Sequence, residues 1–117
     1  MVAVTENDIV VGLRNGVHGH NANVRAAVEL LIEHGRWLQD DNFVAACIGR
    51  AGDDCLRVDF ARAWNYARTY RASEDQRAML MFIADLGSGR WNLGSLDARD
   101  RMRIADAMMR ALVEAWQ

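Results

Sequence analysis

The sequence predicts an all-α fold, a single irregular bundle of five or six helices spanning residues 1–117. Three observations predict it. No proline occurs anywhere, and proline is the strongest helix breaker. Apolar side chains recur at three- and four-residue spacing in several segments. Gly, Asn, Asp and Ser, the residues that cap helices and form turns, separate those segments. All 14 basic residues are arginine, which a GC-rich coding sequence explains. Such a sequence supplies proline codons too, so the missing proline reports structure.

The first helix opens at Thr5, with Asp8 at the third position after the cap, and stops at Gly16. Its short apolar face is Ile9, Val10 and Leu13. The β-branched run leaves a strand over 9–13 as the alternative. Residues 16–21 make a turn, and Asn21 or Asn23 caps the second helix. Val24, Ala27, Val28 and Leu31 form its apolar face, Arg25, Glu29 and Glu33 face water, and Gly35 ends it. Trp37 and Leu38 then fold back on the helix they leave.

Asp40 or Asp41 caps a short third helix with Phe43, Val44, Cys47 and Ile48 as its buried stripe and Gly49 as its stop. Residues 50–54 read as a polar loop. In 55–58 apolar and polar residues alternate, which fits a brief extended stretch as well as a helix. Asp59 caps the fourth helix, whose inward face is Phe60, Ala63, Trp64, Ala67 and Tyr70. Ser73 and Gln76 form a capping box for the fifth, and Glu74 and Asp75 suit the positive end of its dipole. Residues 78–84 of that helix are apolar on all sides, which predicts a central helix surrounded by others, ending at Gly87. A loop over 88–96 carries Trp91 and Leu93. Asp97 or Ser95 opens the last and longest helix. Its polar face runs through Arg99, Arg103, Asp106, Arg110 and Glu114. Its apolar face holds Met102, Ala105, Met108, Met109, Leu112, Val113 and Trp116, and is expected to pack on the fifth helix.

Composition narrows the function classes. Net charge is -2, and 26% of the residues are charged; this is not the basic footprint of a dedicated nucleic-acid binder. No apolar run approaches the ~20 residues of a membrane helix. Met1-Val2-Ala3-Val4 lacks a basic flank, so no leader peptide is expected and a cytoplasmic location is. Cys47 and Cys55 lie too far apart for a CxxC pair and are expected to be reduced thiols. Trp37, Trp64 and Trp91 are spaced by 27, but their flanks do not align, which excludes a repeat array.

No residue pattern spells out chemistry. His18 and His20 are candidate metal ligands in a Gly-containing turn, but His34 is separated from them by the length of the second helix and a third ligand is missing. Glu29 and Glu33 lack the Glu-x-x-His partners of a bundle metal site. Asp40-Asp41 and Asp53-Asp54 lack calcium-loop spacing and read as caps and turn formers. Arg62, Arg68 and Arg71 on the fourth helix, with Arg99 and Arg103 on the sixth, are the candidate phosphate contacts of a nucleic-acid surface. Interleaved Asp97, Asp100 and Asp106 point instead to internal ion pairs. No nucleophile elbow, phosphate loop or dinucleotide fingerprint occurs, so no catalytic residue and no cofactor is assigned.

Two stretches are similar to small uncharacterised actinobacterial proteins. One is Ser73-Glu74, Leu80, Ala84, Leu86, Gly89, Leu93, Leu96-Asp97, Ile104 and Ala107; the other is Trp37-Leu38, Asp41, Phe43-Val44 and Cys47-Ile48. The resemblance implies a source and a helical fold and carries no activity. The function expected is a non-enzymatic protein-interaction or regulatory module, self-associating as a homodimer, with Trp116, Met109, Trp64 and Trp91 as interface residues. A nucleic-acid-binding regulator is the second reading and a metal-dependent hydrolase the third.

Overall fold

A computed structural model describes residues 5–91 and 93–116, without the Trp116 side chain. Met1-Val2-Ala3-Val4, read above for the absence of a leader, lies outside the described residues. The chain is mainly helical: α1 (Glu6–Gly16), α2 (Ala22–His34), α3 (Asp41–Cys47), α4 (Phe60–Thr69), α5 (Glu74–Gly87) and α6 (Ala98–Trp116). One antiparallel hairpin, β1 (Ile48–Gly52) and β2 (Cys55–Val58), interrupts them.

Most helix starts follow from a side-chain cap. Thr5 and Asp8 form a reciprocal box on α1. Asn21 accepts from the Val24 N–H, Asp59 from the Arg62 N–H, and Ser73 from the Gln76 N–H at 3.1 Å. Each cap satisfies an N–H that the first turn leaves without a partner, and is worth about 1 kcal/mol. Gly35 ends α2 at φ 74°, a left-handed geometry that favours glycine. Ile9–Leu13 is helical, so the strand alternative there does not hold.

The core joins Ile9 and Leu13 of α1, Val28 and Leu31 of α2, Trp37, Phe43, Ala63 and Ala67 of α4, and Leu80 and Ile83 of α5. Helix α5 packs on both α2 and α4, and α1 lies on β2. Close approach is possible because small residues face the contacts. A Cβ at Gly16 would collide with the Leu56 carbonyl oxygen, and one at Gly87 with the Phe60 ring.

Two sequence-based expectations are corrected. The first concerns residues 48–54, read as a helix end at Gly49 and a loop over 50–54. Residues 48–52 instead pair with 55–58, Ile48 opposite Val58. The helix stops at Cys47 because Ile48 is β-branched and two glycines follow, while β2 offers an alternating partner. Asp54, at φ 58° in the turn, is a residue type that tolerates that conformation. The Asp59 N–H then donates to the Cys47 carbonyl at 2.7 Å, which ties the end of β2 to the start of β1.

The second correction concerns α5 and α6. They were expected to pack, with α5 enclosed on every side. Only Leu80, Ile83, Ala84 and Gly87 of α5 are buried, and among the described residues α6 has no extended packing contact with any other element. The radius of gyration, 15.2 Å, accordingly exceeds the ~13 Å of a close-packed chain of this length. The physical reason is that core volume is already closed by the hairpin and by an aromatic cluster. Amphipathic spacing reports that a face must be covered, not which molecule covers it.

Candidate interaction surface

Helix α6 starts where the preceding loop is pinned to the rest of the fold. The Asn23 amide donates to the Trp91 carbonyl at 2.8 Å, and the Trp91 ring meets Phe82 of α5 edge-on at 5.4 Å. Asp97 then caps the helix, accepting from the Asp100 N–H at 2.8 Å. The Arg101 guanidinium reaches back to the Gly94 carbonyl at 3.2 Å, and Arg103 pairs with Asp100 at 3.2 Å. The root of α6 is therefore held.

Beyond its root the helix stands clear. No residue from Arg101 to Ala115 is buried or half-buried. The most open apolar side chains are Met102 (68%), Leu112 (64%), Met109 (62%) and Val113 (53%), against 40% for Ile104 and 39% for Met108. On the helix wheel the first four fall within about 100° of one another, and Ile104 and Met108 fall on the shielded side. The six side chains leave roughly 600 Å² open, the size of the largest apolar patch on an ordinary monomer. The sequence identified this face, except Ile104, and expected most of it to pack on α5, with Met109 and Trp116 of the same face reserved for an interface.

The four residues expected at an interface do not share one element. Met109 lies in the open face. The Trp116 side chain lies outside the described residues. Trp64, on α4, is half-buried, with the Arg68 and Arg90 guanidinium groups 4.9 and 5.7 Å from its ring centre. Trp91 remains 37% exposed beside Phe82.

The candidate phosphate contacts are dispersed in the same way. Arg62 pairs with Asp59 at 3.6 Å and also donates to the Ala46 carbonyl. Arg68 covers Trp64, Arg103 pairs with Asp100, and Arg71 and Arg99 are exposed. His18 and His20 are exposed in the α1–α2 turn, where the His20 carbonyl accepts from Arg25 at 2.7 Å. Among the described residues no three His, Cys, Asp or Glu side chains come close enough to hold a metal ion. Glu29 is engaged with Arg14 at 3.1 Å.

Chemistry elsewhere is structural in character. Asp40 accepts from the N–H groups of Asn42 and Phe43 and from the Tyr66 hydroxyl at 3.1 Å. Burial, together with that bond to a carboxylate, pushes the Tyr66 hydroxyl pKa up. The Cys47 thiol is pushed up to about 11, first by burial and then by the nearby Asp59 charge. A raised thiol pKa is the opposite of what a nucleophile needs. A groove of about 410 Å³ between the α1–α2 turn and the start of α4 is walled mainly by Val17, Val24, Val28, Leu56 and Phe60. Asp59, on its rim, is engaged as the α4 cap. No helix of the described residues is long and apolar enough to cross a membrane. No family model, curated protein or solved structure matches the chain.

Proposed function

We propose that the chain is a non-enzymatic protein-interaction module that works as a homodimer, with α6 as its docking element. The observation that carries the reading is the contiguous apolar face of α6, open from Met102 to Val113 on a helix whose root is anchored. Water contact over this area is unfavourable by about 25 cal/mol per Å² of apolar surface. Two such faces, with the shielded Ile104 left out, bury about 1,000 Å², the size at which small, weaker protein interfaces lie. The free thiols Cys47 and Cys55 fit a reducing compartment and support a cytoplasmic location for the module.

Sedimentation across concentration tests the reading. Wild-type protein is expected to approach twice its 13.2 kDa mass in the micromolar range. Leu112→Asp, which sets a carboxylate in the middle of the face, is expected to weaken association at least tenfold while leaving the fold intact. A wild-type protein that stays monomeric at several hundred micromolar would overturn it.

A further inference from the structure

From the spacing and charges of α6 we infer that a second copy of this chain docks its α6 in parallel and in register, forming a two-stranded coil. The inference rests on the dimer reading and adds its geometry. Met102, Ala105, Met109, Leu112 and Trp116 follow one another at spacings of three, four, three and four. That is the a/d repeat of a coiled coil over two heptads, with Met102, Met109 and Trp116 at a, and Ala105 and Leu112 at d. Three of these residues, Met102, Met109 and Leu112, are the most open large apolar side chains in the described chain. Ile104, outside the seam, is less open, so the seam points away from the rest of the fold.

Charge selects the orientation. Arg101 occupies a g position and Asp106 the following e position, with apolar Met108 and Val113 at the next g and e. In a parallel pair each g side chain faces the e side chain five residues on in the other strand. Arg101 of each copy then faces Asp106 of the other, and Met108 faces Val113. In an antiparallel pair g faces g and e faces e, so Arg101 and Asp106 never meet. Arg101 uses one N–H on the Gly94 carbonyl, and the planar guanidinium retains four more. About 500 Å² from each copy, Ile104 left out, over a short coil fits micromolar rather than nanomolar affinity.

Cross-linking and a charge swap test the geometry. In a Cys55→Ser background, which leaves Cys47 buried, Ala105→Cys is expected to give a disulfide-linked dimer on mild oxidation. Ala107→Cys, on the outer face, is expected to give none. Arg101→Glu and Asp106→Arg are each expected to weaken self-association about fivefold, and the double variant to restore it. Rescue separates a pair across the interface from loss of the Gly94 contact, which Asp106→Arg does not replace. A link that forms only when Ala105→Cys and Met109→Cys proteins are mixed reports antiparallel strands and overturns the inference. A dimer by sedimentation that gives no link at 105 and no charge rescue overturns the register and leaves the dimer reading standing. A strict monomer overturns both.

Discussion

Asp40 shows how much one side chain carries in a small core. Its carboxylate caps α3 through two backbone N–H groups and accepts the Tyr66 hydroxyl, and Tyr66 stacks with Tyr70 and meets Trp37 and Phe43 edge-on. Asp40→Ala therefore removes a cap and leaves a half-buried phenol without its acceptor. The expected loss is about 2–3 kcal/mol by urea unfolding, whereas Tyr66→Phe is expected to lose about 1 kcal/mol. Cys47 gives a pH dependence of known sign. Its pKa in the fold, about 11 against the ordinary thiol value of 9.0, means the unfolded chain releases this proton first as pH rises. Stability is then full below pH 9 and declines between pH 9 and 11, with Tyr66 acting in the same direction at higher pH. Urea midpoints at pH 7.5 and 10.5 check this; Cys47→Ala is expected to flatten the decline. At pH 8 a thiol reagent is expected to label the half-buried Cys55 in the native protein and Cys47 only on unfolding.

At the scale of elements, what the sequence made legible was local. Thr5, Asn21, Asp59, Ser73 and Asp97 each cap the helix expected of them, because capping depends on a residue and its next three neighbours. The hairpin was only half legible. Residues 55–58 alternate, but Ile48–Gly52 becomes a strand only through its partner, and a pairing partner is not a local property. The contact of α1 with β2 was hidden for the same reason: Gly12 and Gly16 read as helix content and stop, not as the flat face that admits Leu56. Gly16→Ala tests that contact. An alanine there favours the helix intrinsically, yet its methyl would meet the Leu56 backbone. The clash is expected to dominate, lowering stability by about 1–3 kcal/mol in thermal unfolding. A neutral or stabilising Gly16→Ala would show that α1 is free to slide on the hairpin.

At the scale of the whole molecule, α6 joins fold to function. Its apolar stripe, Ile104 apart, was legible in the sequence, while its exposure was not, since periodicity is the same for a helix covered by its own chain and one covered by another. The distinction has a measurable consequence. A 19-residue helix is near the length at which an isolated helix in water is marginal, even with the alanine, methionine and leucine content seen here. Without a partner, α6 is expected to fray from its C-terminal end, where Glu114 sits at the negative pole of the dipole. Association therefore supplies part of the helix's own stability. Far-UV ellipticity is expected to fall on dilution through the dissociation range by up to the share of 19 residues in 117. The Trp37 environment, buried among Phe43, Tyr66 and Tyr70, is expected to stay unchanged by near-UV signal. Amide exchange read on both samples should place the whole change in residues 101–115. Protection lost instead across α2, α4 and α5 would mean that the core itself depends on the dimer. In that case the outstretched helix would be part of the fold's foundation rather than a surface carried by it.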